Sequence, residues 1–105
     1  VADQGWTKIL RLTDSAFLGL VDQSRGMHKF TKEKAVNLSF ILSELDEWHQ
    51  VVVENRLFPL RSDSITAGPD NRHRELMVFD PGRYYLEFDQ FNAHPLNEKL
   101  LNYLK

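Results

Sequence analysis

A chain of 105 residues with a formal net charge of −2 is expected to fold as a single domain spanning residues 1–105, long enough to bury a core. It has no cysteine, which excludes disulfides, thiolate catalysis and cysteine-ligated zinc. Its 42% hydrophobic and 27% charged residues are those of a folded protein rather than a disordered one.

No apolar run approaches the roughly 20 residues that span a bilayer, and the opening VADQGW lacks the basic start and apolar core of a signal peptide. The expectation is an intracellular protein without membrane contact. Charge is unevenly spread. Residues 1–34 carry six Lys/Arg against four Asp/Glu, and residues 35–105 carry seven against eleven. The basic excess gathers in Arg25, Lys29, Lys32 and Lys34, a strip able to face a polyanion.

Residues 6–13 and 16–23 read as two strands joined by a turn at Thr13-Asp14-Ser15. Met27 to Thr31 reads as a short third strand after the turn Ser24-Arg25-Gly26. From Ala35 the chain alternates strictly, with Val36, Leu38, Phe40 and Leu42 on one side, the period of a fourth strand. At Ser43 the period changes to that of a helix. Leu45, Trp48 and Val52 form its apolar stripe, Ser43 is the expected N-cap, and Trp48 is expected to be buried.

The helix must stop before Pro59. Residues 61–72 read as an exposed loop, with a short edge strand available at Ser64 to Thr66. A hairpin follows, Glu75 to Phe79 and Tyr84 to Phe88, around Asp80-Pro81-Gly82-Arg83. Gly82 could supply the positive φ of a type II turn, although a longer or bulged loop suits a hairpin better. A last helix starts near Pro95, with Leu96, Leu100, Tyr103 and Leu104 on one stripe. The fold class is α+β: a curved antiparallel sheet of four strands, a central amphipathic helix, the hairpin and a C-terminal helix.

No motif announces a reaction. The four histidines, at 28, 49, 73 and 94, form no i,i+4 pair, so no metal or cofactor is expected. There is no Gly-x-Ser-x-Gly elbow, and the carboxylates at 44, 46 and 47 suit a helix start better than acid–base catalysis. A non-enzyme is expected. Phe30 and Tyr85 fall on or beside faces that carry basic residues, where rings can stack unpaired bases while lysines hold phosphates.

The stretch Lys32-Glu33-Lys34-Ala35-Val36-Asn37-Leu38-Ser39 resembles the Lys-Gly-Lys-Ala-Ala-Leu-Ser pattern of the plant Whirly proteins, with Glu33 in place of the glycine. The order of elements resembles the Whirly and PUR-type superfamily more broadly. That resemblance implies binding of single-stranded DNA or RNA by a homo-oligomer, with Lys32 and Lys34 as contacts. The expectation is a single-stranded nucleic-acid-binding module using Arg25, Lys29, Phe30, Lys32, Lys34 and Tyr85. The alternative is a protein-interaction adaptor or inhibitor acting through the acidic helix face or the 61–72 loop.

Overall fold

The computed structural model describes residues 1–60 and 64–105. They form two compact units, Val1–Thr31 and Lys32–Lys105. The architecture is α+β, with one three-stranded sheet, one four-stranded sheet and two α-helices.

The first unit is an antiparallel sheet of β1 (Ala2–Asp3), β2 (Thr7–Arg11) and β3 (Phe17–Val21). The turn between β2 and β3 lies where the polar triplet predicts it: the Thr13 hydroxyl accepts from the Ser15 and Ala16 amides. Leu10, Phe17, Leu20 and Val21 remain exposed. Met27 to Thr31 forms no strand. Side chains satisfy that backbone instead of a ladder: the Gln23 amide oxygen accepts from the Phe30 N–H at 2.9 Å, and Asp22 Oδ1 accepts from the Ser24 amide and hydroxyl.

The second unit runs β4 (Asn37–Ile41), α1 (Leu45–Glu54), β5 (Thr66–Ala67), β6 (His73–Phe79), β7 (Tyr85–Phe91) and α2 (Glu98–Tyr103). In the sheet the order is β4-β7-β6-β5. The hairpin strands β6 and β7 pair antiparallel with Val78 opposite Leu86, while β4 pairs with β7 in parallel. A parallel neighbour needs a crossover, and α1 begins it.

Alternation along these strands separates two faces. Leu76, Val78, Leu86 and Phe88 point toward α1 and form the core with Leu45 and Val52, and Leu38, Phe40 and Trp48 pack against it. The Phe88 ring lies 5.4 Å from Phe40 and 5.2 Å from Trp48, the latter edge-on. Trp48 is thus on the core stripe as its spacing predicts, though only partly buried.

The start of α1 departs from expectation, while its end falls before Pro59 as expected. Ser43 does not cap it; Glu44 holds the N-cap position, without a side-chain cap. The Leu45 amide, which has no partner within the helix, is satisfied from across the fold by Gln90 Oε1 at 3.1 Å. At the other end Leu57 N donates to Val52 O and Arg56 N to Val53 O, the paired bonds of a Schellman stop, with Arg56 at φ 49 where glycine is usual.

The β6–β7 loop is a β-turn in which Arg83 N donates to Asp80 O at 2.9 Å. Gly82 does not take a positive φ, so the turn is not type II; Arg83 takes it, at φ 66. A turn followed by the left-handed Arg83 is the longer, bulged closure expected in place of a primed two-residue turn. The edge strand falls at Thr66–Ala67, and residues 61–63 of the expected loop lie outside the described residues. No helix among the described residues is long and apolar enough to cross a membrane.

Candidate metal centre on the open sheet face

The face of the four-stranded sheet turned away from α1 carries the polar members of each alternating strand. On β6 these are His73, Glu75 and Met77; on β7, Tyr85, Glu87 and Asp89; on β4, Asn37 and Ser39. The register sets Glu75 directly opposite Asp89. His73 is two residues up β6, on the same face. Ligand atoms of His73, Glu75 and Asp89 all lie within 4.8 Å of one another.

Three details show how these side chains are held. Glu75 Oε2 shares a hydrogen bond with His73 Nε2 at 3.2 Å, and Glu75 Oε1 lies 3.4 Å from the Thr66 hydroxyl on β5. The His73 ring stacks on Phe91 with centroids 5.4 Å apart. Behind the ring lies Gly68, where an added Cβ would come within 2.1 Å of the imidazole Cε1. Gly68 has an ordinary extended backbone, φ −74 and ψ 177, so the ring, not the main chain, requires a glycine there.

Asp89 is only 6% exposed. Its Oδ2 accepts from the Ser39 hydroxyl, while its Oδ1 is buried with no hydrogen-bond partner. A buried carboxylate oxygen left without a donor is costly, of order 1–3 kcal/mol or more for a charged group. A cation between Asp89, Glu75 and His73 would remove that cost. One imidazole and two carboxylates suit a borderline or hard divalent ion such as Mn²⁺, Fe²⁺ or Zn²⁺. Three ligands on one face leave positions open for a substrate.

Beside this cluster the same face opens into a cavity of about 630 Å³, floored by Asn37, Met77, Phe79, Tyr85 and Glu87. That is within the range of small-molecule sites, roughly 300–1,000 Å³. Glu87 joins the two regions. It is two residues from Asp89 on the same face, and its Oε1 accepts from the Asn37 amide at 3.3 Å.

The six residues expected to contact nucleic acid are divided between the two units. Lys32, Lys34 and Tyr85 all line the cavity. Arg25, Lys29 and Phe30 belong to the first unit, in a stretch that forms no strand; Lys29 Nζ donates to Gln23 O at 3.2 Å. Helical i,i+4 spacing does not reveal the His-Glu-Asp cluster, because its members lie on paired strands. The signal in the sequence is His73-x-Glu75 at strand spacing, and β6 begins at His73, two residues before the expected Glu75.

No protein-family model matches the sequence, and no curated protein does. Among solved structures, the chain is similar to a glyoxalase/bleomycin resistance protein/dioxygenase from Alicyclobacillus acidocaldarius. The TM-score is 0.56 at 14% sequence identity, over 83% of this chain and 74% of that chain. At that identity the likeness is one of fold: a β-α-β-β-β module of the kind seen in β4-α1-β5-β6-β7. This corrects the Whirly and PUR-type resemblance and, with it, the single-stranded nucleic-acid function and the adaptor alternative. Eight residues of local similarity did not specify topology. Lys32 to Val36 lie before β4, outside any strand, so the matched stretch is mostly not part of a nucleic-acid-binding sheet.

Proposed function

We propose that this protein is a metal-dependent enzyme acting on a small molecule, with His73, Glu75 and Asp89 as the ligands of one divalent cation. The observation that carries the reading is the buried Asp89 carboxylate, its Oδ1 without a hydrogen-bond partner, in a cluster whose ligand atoms lie within 4.8 Å of one another. The glycine recess behind the imidazole supports it, because it leaves room for the ring where Nε2 meets the Glu75 carboxylate. When bound, the cation would supply Lewis acidity toward a substrate oxygen.

The chain's own residues supply the rest. Ser39 fixes Asp89 by its hydroxyl, and Thr66 and His73 bracket the Glu75 carboxylate. His73 Nε2 is hydrogen-bonded to the Glu75 carboxylate, so for that nitrogen to hold a cation its proton would have to leave or sit on Nδ1 instead. Glu87 stands about 7 Å along β7 from Asp89, two strand residues away, and is the carboxylate placed to take or return a proton.

A binding protein that holds its ligand without turnover is the second reading, favoured by the breadth of the neighbouring cavity. Self-association belongs to either reading. In the first unit the exposed Phe17 and Val21 lie on one sheet face and Leu10 and Leu20 on the other; a partner copy would cover one of these apolar faces, and sedimentation showing a 12.3 kDa monomer would remove this part.

The metal reading is tested by calorimetric titration of chelator-treated protein with Mn²⁺, Fe²⁺ under anaerobic conditions, and Zn²⁺. One site per chain is expected, lost in His73→Ala and Asp89→Asn. Binding unchanged by both substitutions would overturn it.

A further inference from the structure

We infer that the cavity on the open sheet face takes a small organic anion, with its charged group at Lys32 and Arg83 and its apolar body laid along the sheet toward Glu75 and Asp89. The assignment of which end faces the metal rests on the metal-site reading; the anion subsite does not.

The cavity's chemistry changes along its length. Met77, Phe79 and Tyr85 make an apolar floor, with Phe79 and Tyr85 in edge contact at 5.2 Å between centroids. Val36 adds to it from the chain before β4. Around this floor stand three cations, Lys32, Lys34 and Arg83, against two carboxylates, Glu33 and Glu87. Glu87 is tied to Asn37 on the sheet itself, on the β7 side leading to Asp89. Arg83 stands at the opposite end of the strand, in the hairpin loop.

The cations are not equivalent. Lys34 is half-buried, its ammonium 4.9 Å from the centre of the Tyr84 ring, a cation–π contact that already uses its charge. The Lys32 and Arg83 side chains make no ion pair or hydrogen bond among the described residues. Arg83 is also the residue that takes φ 66 in the turn, directly after Gly82, which does not. A left-handed backbone disfavours any residue with a Cβ, by about 1–2 kcal/mol. A non-glycine residue kept in a strained conformation beside a cavity is the pattern of a side chain held for contact with a ligand. Its planar fork suits a carboxylate or a phosphate oxygen pair.

The reach fits a compact molecule. From Tyr85 to Asp89 is four residues of strand, about 13 Å. A substrate with a ring over Tyr85 and Met77 could therefore present its far end at the cation site while its anionic group stays with Arg83.

Titration of the full chain, treated with chelator, with 2-naphthoate, 2-naphthyl phosphate and neutral 2-naphthamide tests this. Both anions should bind at least about 10-fold more tightly than the amide, the discrimination a charge-assisted pair provides. Tighter binding of the phosphate than the carboxylate would assign the site to phosphate esters, and the reverse to carboxylates. In the double variant Lys32→Ala/Arg83→Gly the preference for anions should vanish while the amide affinity persists. Glycine relieves the turn, so loss of folding is not expected, and an unchanged thermal melt verifies it. Equal affinity for anion and amide, an anion preference that survives the double variant, or no saturable binding by any probe would each overturn the proposal. Because no metal is present in these titrations, failure of the metal centre would show only in the separate metal titration.

Discussion

The two faces of the four-stranded sheet are built from the same strands and do opposite work. Toward α1, Leu76, Val78, Leu86 and Phe88 are buried against Leu45 and Val52. On the other side the neighbouring positions on the same strands are His73, Glu75, Glu87 and Asp89. Because side chains alternate, neither set can move without the other. The apolar face holds the backbone still, and that stillness positions three ligand side chains within 4.8 Å. Stability and chemistry are therefore separable by substitution, one residue at a time, along a single strand.

The largest effect should come from the covered face. Phe88→Ala removes the ring that touches Phe40, Trp48 and Phe58, and should cost about 3–5 kcal/mol in a denaturant melt. That is a large share of the roughly 5–15 kcal/mol that a domain has in total. One residue on, Asp89→Asn should leave the ion-free melt unchanged or raise it, since a buried unpaired charge is removed. Its effect should instead appear with metal. Parent protein at 100 times its dissociation constant should gain about 2.7 kcal/mol, and the variant nothing. If Asp89→Asn unfolded the protein while Phe88→Ala did not, the division of the faces would be wrong.

Gln90, next along β7, tests whether the covered face also serves α1 by hydrogen bonding. Gln90→Ala should cost about 0.5–2 kcal/mol, the range for a lost helix cap, and Ser43→Ala should stay within about 0.5 kcal/mol. Equal losses would return the cap to Ser43. The smallest effect concerns Arg74, whose guanidinium bonds both Asp46 oxygens and Gln90. That hydrogen bonding, ahead of the charge attraction, holds the Asp46 carboxyl below its ordinary value. Its contribution is present above the unfolded carboxyl's pKa, about 3.9, and is lost as pH falls through the lowered folded value. Asp46→Asn should lower stability only slightly at pH 7, as suits an exposed pair, and that small difference from the parent should disappear as pH falls through the window.

What the sequence made legible was what periodicity encodes. The strand-to-helix change near Ser43, the hairpin around Asp80 and the helix after Pro95 all follow from local spacing and turn chemistry. Partners across the chain were not encoded locally. The parallel pairing of β4 with β7 joins Asn37 to Tyr85, and the cap of α1 comes from Gln90, 45 residues away. The candidate metal site fails to announce itself for the same reason. Asp89 reaches Glu75 only through strand pairing, and a motif search along the chain cannot see a register. The strand expected over Met27 to Thr31 does not form, and a hydrogen bond from the Phe30 N–H to the Gln23 side chain stands where a ladder would be, a partnership that alternation along the chain cannot show.

Gly68 carries a consequence beyond its own loop. The imidazole that Phe91 and Glu75 hold lies in space left by a missing atom, so the attitude of His73 depends also on what residue 68 lacks. Such a vacancy behaves as a mould. It accepts one ring in one attitude and is filled by the smallest possible change in the chain, a single methyl group. A protein sharing this fold but bearing alanine at that position would keep its strands and its three would-be ligands, yet offer the histidine no seat. Position 68, which contributes no side chain at all, is thus the residue by which a chain able to hold the ion could be told from one that merely has the right donors.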